Sequence, residues 1–138
     1  MTAVKKISGI KIHFGSDILG LPNCIHVTTA NVTDRDGALK MLEKYAPKLT
    51  SIIKVLCDGG YTGENFANAV KALIVADVEI AKRSELHTFA VIPKRWVVER
   101  SFGWLDNFRR LWKNCERKLH TSHQMVTIAF ISVLLKRY

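Results

Sequence analysis

The chain has 138 residues, enough for one hydrophobic core but not comfortably for two. Apolar residues make up 48% and charged residues 24%, the composition of an ordinary globular protein. The charge is not ordinary: 21 Lys and Arg against 12 Asp and Glu give a net charge of +9, a surplus that favours a polyanionic partner through counterion release. Cys24, Cys57 and Cys115 stand far apart in no metal-binding pattern and read as reduced thiols. The start, Met1 to Lys6, has no signal-peptide stretch, and the apolar run from Met125 to Leu135 is too short to span a bilayer. A cytoplasmic location is expected.

In chain order, Ile10 to Phe14 alternates apolar and polar as a half-buried strand. Asp17 to Pro22 supplies a turn, and Cys24 to Thr29 a second strand, making a hairpin. A helix follows, capped by Thr33, with Asp36 near its positive end and Ala38, Leu39, Leu42, Tyr45 and Ala46 on one face; Pro47 ends it. The apolar run Ile52 to Cys57 predicts a buried strand that delivers Asp58 into Gly59-Gly60-Tyr61-Thr62-Gly63. An amphipathic helix with Phe66, Ala69, Val70, Leu73 and Ile74 inward leads to a short strand, Val78 to Ala81. After a polar connection, a helix from about Trp96 to Trp112 carries Val98, Leu105, Phe108 and Trp112 on its apolar side. The last helix starts with the capping pattern Thr121-Ser122-His123-Gln124 and, apolar nearly all round, should be buried. The order predicts a single α/β domain over residues 1–138 with a mixed sheet flanked by helices.

A carboxylate leaving a buried strand into a glycine turn can meet a metal, and Glu99 presents a second carboxylate from a later helix. In a basic chain that pair points to metal-assisted chemistry on nucleic acid. Lys94, Arg95, Arg100, Arg109, Arg110 and Lys113 form a basic stretch suited to phosphate contacts, interleaved with Trp96, Trp104 and Trp112, which read as core. The five histidines show no metal-binding spacing and read as strand or cap residues.

Cys57-Asp58-Gly59-Gly60-Tyr61-Thr62-Gly63 resembles the second-acid segment of bacterial insertion-sequence transposases of the DDE type. Arg95-Trp96-Val97-Val98-Glu99-Arg100-Ser101-Phe102-Gly103-Trp104-Leu105 resembles their third-acid segment, and Phe108-Arg109-Arg110-Leu111 continues it. Ala30-Asn31-Val32-Thr33-Asp34-Arg35-Asp36-Gly37-Ala38 is similar to their link between hairpin and first helix. The resemblance implies an RNase H-like fold, DNA as transposon end and target, and phosphoryl transfer by three carboxylates holding two Mg2+ or Mn2+ ions. Asp58 and Glu99 then correspond to the second and third acids, as catalytic residues and metal ligands. The family's first Asp lies upstream of the stretch similar to Lys6 to His13, so the first strand and its acid are expected to be missing. Asp17 falls on the hairpin turn, where Asp serves local backbone bonding. Ile10 and Ile12 replace basic positions of the family hairpin, and Ile92 replaces a Tyr. These departures imply a truncated or split transposase, with an N-terminal transposase fragment or a second copy as partner. The alternative is a non-catalytic DNA-binding remnant or a regulatory partner of a full transposase.

Overall fold

The computed structural model describes residues 9–81, 95–108, 111 and 115–136, the side chains of Arg95 and Trp96 excepted. Strands β1 (Ile10–Ser16) and β2 (Pro22–Thr29) form the antiparallel hairpin, with Ile12 opposite Val27 and His13 opposite His26. Asp17 closes the turn between them: its Oδ1 accepts the amides of Leu19 and Leu21 at 2.8 and 2.9 Å, the local bonding expected of an Asp there.

Alternation along the hairpin sends its two faces to different helices. Helix α1 (Asp34–Tyr45) covers the face bearing His13 and Gly15, with Gly37 against the His13 ring and Met41 near Gly15. Thr33 caps α1 as expected, its hydroxyl accepting from the Asp36 amide. Past Tyr45 the chain tightens into a 3-10 turn, Ala46–Lys48, because Pro47 fits a first turn and cannot continue the α-helix ladder. On the other face Ile12, Phe14 and Ile25 meet Leu105, Val126, Ala129 and Phe130 from the two C-terminal helices. Phe130 and Val126 are each 1% exposed, and burial of this kind stabilises by about 1.5–3 kcal/mol per side chain.

Strand β3 (Lys54–Cys57), helix α2 (Glu64–Ile74) and strand β4 (Asp77–Ile80) make a β-α-β unit with β3 and β4 parallel. Phe66, Val70 and Ile74 of α2 pack with Leu42 of α1 and with Leu49, a second core. The inward face expected for α2 is therefore present. Helix α1 contacts both the hairpin and α2 and so links the hairpin to the second core.

Five sequence expectations are corrected. The fold is α/β with both kinds of strand pairing, but the described strands form two two-stranded sheets rather than one mixed sheet. The run before Asp58 is not buried: Ile53 is 82% and Leu56 39% exposed, because β3 has only β4 as a described neighbour and turns just Val55 and Cys57 toward the core. Helix α3 (Arg95–Asp106) buries Leu105, and Phe108 beyond it packs on the same core, both as expected, but Val97 and Ser101 take the inward place expected of Val98, which is 45% exposed. Helix α4 (Leu119–Leu135) starts two residues before Thr121, from Lys118, without a side-chain cap. It buries Ser122, Val126, Ala129 and Phe130 while Ile128, Ile131 and Leu135 stay exposed, so it is covered on one side only among the described residues. Trp112 lies outside the described residues, and Trp104 is half-buried.

Candidate functional site

Asp58 follows the carboxyl end of β3 in extended conformation and caps a 3-10 turn, Gly59–Tyr61. Its Oδ1 accepts the Gly60 amide at 2.9 Å, and its backbone carbonyl accepts the Tyr61 amide at 3.1 Å. A Cβ at Gly60 would lie 3.1 Å from Asp58 Oδ1, close enough that a side chain there would have to push the carboxylate aside by a few tenths of an ångström. The carboxylate itself is exposed. Tyr61 anchors the turn by packing on Phe66, ring centroids 5.2 Å apart.

Two neighbours register the electrostatics of this corner. Burial, and then the negative charges of Asp34 and Asp58, push the Tyr61 hydroxyl up to about 12. Burial and Asp58 together push the Cys57 thiol up to about 11. Both groups stay protonated at neutral pH, so the thiol beside Asp58 is no nucleophile. Asp34 belongs to the same corner although the sequence reading gave it no role. Its carboxylate pairs with Lys11 Nζ at 3.0 Å, and Lys11 also donates to Val32 O at 2.8 Å. Arg35 Nε donates to Gly60 O at 3.0 Å, tying the Asp58 turn to the first turn of α1.

Glu99 is exposed on the surface of α3. Its helix is registered by the two residues that follow it. Arg100 donates to Leu19 O at the hairpin tip and lies over the Trp104 ring, 5.1 Å from its centroid. Ser101 is fully buried and donates to Gly20 O at 2.7 Å. Gly20 has φ +82°, and a Cβ there would stand 3.2 Å from Ser101 Oγ, so glycine is needed for this approach. Sequence reading missed Ser101; a serine in a hydrophobic helix phase was the available signal.

The structure thus seats Asp58 beside the α1–α2 core and Glu99 on the helix that packs against β1 and α4. Among the described residues no group of three or more His, Cys, Asp or Glu is placed to hold a metal ion. Lys94, Arg109, Arg110 and Lys113 lie outside the described residues, as does the Arg95 side chain. No helix among the described residues is long and apolar enough to cross a membrane.

The family model described as "Transposase DDE domain" matches residues 1–134. A curated relative from Burkholderia cepacia, named "Putative transposase for insertion sequence element IS402", is 34% identical over 117 residues, 80% of this chain and 55% of the relative. The chain therefore spans about half the length of that relative. No solved structure matches. With nearly every residue inside the family match, the chain belongs to the transposase DDE domain family.

Proposed function

We propose that this chain acts in DNA transposition as an RNase H-like catalytic part of a DDE transposase, with Asp58 and Glu99 as its second and third acids. The observation that carries the reading is the placement of Asp58. It is an exposed carboxylate at the carboxyl end of a parallel strand, entering a glycine turn in which a Cβ at Gly59 or Gly63 would meet nothing within 4 Å. Ligand sites of open α/β sheets lie at such strand ends. A β-hairpin followed by a helix and a parallel β-α-β unit is compatible with an RNase H-like arrangement.

The donor chemistry fits Mg2+ or Mn2+. Asp58 Oδ1 is engaged by the Gly60 amide, while Oδ2 has no hydrogen bond among the described residues; Glu99 offers a second exposed carboxylate. A metal held by Asp58 and Glu99 would supply Lewis-acid activation of water or a DNA 3′-hydroxyl and positive charge for the leaving oxygen of an in-line displacement. The chain's own part is to hold Asp58 on its capped turn and Glu99 on a helix locked to the hairpin tip. Lys94, Arg95, Arg100, Arg109, Arg110 and Lys113 are assigned to DNA phosphates. For Arg100 that role competes with its bond to Leu19 O.

Two acids leave a two-metal clamp short of a ligand. The 138-residue polypeptide assayed by itself with Mg2+ or Mn2+ is therefore expected to cleave or join DNA weakly or not at all. The assay compares it with Asp58→Ala and Glu99→Ala. Robust cleavage lost in both variants would show that another residue of this chain supplies the first acid. Robust cleavage that survives both would remove the two residues from the site. An N-terminal transposase fragment or a second copy is the partner proposed to complete the clamp, and its addition should raise cleavage only when Asp58 and Glu99 are intact.

A further inference from the structure

We propose that Arg35 is a positioning residue for Asp58, and that with Asp34 it forms a brace fixing the Asp58 turn relative to the hairpin. The functional meaning of the brace rests on reading Asp58 as a metal ligand. Its mechanics do not.

The turn after β3 satisfies itself internally with one exception. Asp58 Oδ1 takes the Gly60 amide, Asp58 O takes the Tyr61 amide, and Thr62 Oγ1 donates to Gly59 O. All of these bonds would survive if the whole turn tilted as a unit. Among the described residues, what ties the turn elsewhere is the Arg35 Nε–H bond to Gly60 O, together with Tyr61, which packs on Phe66 and on the core that Leu42 of α1 shares. Phe66 belongs to α2, the helix that follows the turn, so its grip is local in sequence. Among the described residues Arg35 supplies the directional contact, a hydrogen bond, that reaches back to α1.

The bond also acts through a peptide group that Asp58 uses. The carbonyl that Arg35 holds and the Tyr61 N–H belong to the same peptide unit, and that N–H donates to Asp58 O. A cation on the carbonyl polarises the unit and strengthens the bond on its far side. Arg35 therefore stiffens the backbone from which the Asp58 carboxylate projects.

The other end of the brace is fixed to β1. Asp34, adjacent in sequence, pairs with Lys11 at 3.0 Å, and Lys11 holds Val32 O just before the helix. Consecutive residues thus grip the two sheets, Asp34 the hairpin and Arg35 the Asp58 turn. The described strands of the two sheets do not hydrogen-bond to each other, and among the described residues α1 and this pair link them. Ser101 and Arg100 lock α3 to the same hairpin, so the path from Asp58 to Glu99 runs turn, Arg35, Asp34, Lys11, hairpin, α3.

The test uses the full chain, isotope-labelled, as Arg35→Ala and Arg35→Lys beside the unmodified protein. Amide hydrogen exchange at Gly60 and Tyr61 reads the brace, with Val70 in the α2 core as internal control. Arg35→Ala should speed exchange at Tyr61 about fivefold. Val70 should be unchanged, and the melting temperature should stay within about 3 °C, since Arg35 is exposed. Arg35→Lys, which keeps a donor, should recover part of the protection. Unchanged exchange at Tyr61 in Arg35→Ala, or acceleration shared by Val70, overturns the brace. Mn2+-induced broadening of the Asp58–Tyr61 amides reads the metal side. Loss of Arg35 should weaken the apparent Mn2+ affinity about tenfold, as loss of an outer support does at metal sites. If the unmodified protein shows no broadening there, the metal reading of Asp58 fails, and the exchange result still decides for or against the brace.

Discussion

Gly37 and His13 show how a single pair sets the distance between a helix and a sheet. A Cβ at position 37 would stand 2.3 Å from two atoms of the His13 ring, and the ring cannot swing away, since it is buried and its Nε2 is 2.9 Å from Thr28 Oγ1. Gly37→Ala sets two effects against each other. Alanine gains about 1 kcal/mol of helix propensity, while overpacking costs about 1–3 kcal/mol. Contact under 3 Å with a hydrogen-bonded ring decides for the second, so urea unfolding should show net destabilisation; a neutral or stabilised variant would mean that α1 can lift without loss. His13 also makes stability depend on pH. Burial holds its pKa below the ordinary 6.5, against a raising influence of Asp34, and burial with nearby positive charge does the same to His26. As pH falls through 6.5 the unfolded chain takes up the proton first, so the folded state loses stability from there down to the lowered folded value. Unfolding midpoints from pH 7.5 to 5.5 should therefore fall, and His13→Gln should flatten the slope. Neither feature was legible in the sequence, where Gly37 is only a glycine inside a helix pattern and His13 only a polar residue in an alternating strand.

At the scale of elements, what the sequence resolved and what it missed have separate physical causes. The Thr33 cap, the Asp17 turn and the α2 face depend on residues close along the chain, and each appears where local chemistry puts it. The phase of α3 depends on a distant partner. Val97 and Val98 are equally apolar, and hydropathy cannot choose between them; the Ser101 hydroxyl on Gly20 O rotates Val97 inward. Similarly, Thr121 to Gln124 has the composition of a helix start, but Ser122 is buried inside α4 and His123 Nε2 lies 3.0 Å from Ile25 O, placements only the hairpin could dictate. Asp58 was legible as a candidate because strand, acid and glycines are consecutive. Arg35 was not, because its partner is 25 residues away. Ser101→Ala should destabilise by about 1–3 kcal/mol by leaving the Gly20 carbonyl buried without its donor. Gly20→Ala should also destabilise, through its positive φ and its approach to Ser101. Removing the hydroxyl relieves part of that approach, so the double variant should lose less than the sum of the two. Strict additivity in chemical denaturation would mean that the hairpin tip and α3 are not coupled at this point.

At the scale of the molecule, charge and architecture act over different distances. The ion pairs Lys11–Asp34, Lys54–Glu79 and Lys71–Asp77 lie at the surface and each contributes little to stability. What they leave is the long-range field of a +9 chain. That field has no means of reading bases, because a surplus of Lys and Arg answers to phosphate wherever phosphate lies. Binding to duplex DNA should accordingly show little sequence preference and steep salt dependence. An interface neutralising about four phosphates would give a logarithmic slope near −3.6, so a fourfold rise in salt would weaken binding about 150-fold. Fluorescence anisotropy across a salt series measures the slope directly. Arg109→Ala and Arg110→Ala should each flatten it by about one phosphate if those side chains carry contacts. Arg100→Ala separates two roles in one residue. A slope unchanged by its loss would assign the guanidinium to the hairpin carbonyl, and a flatter slope would assign it to DNA as well. Absence of binding even at low salt would remove DNA affinity from this chain, whatever its family.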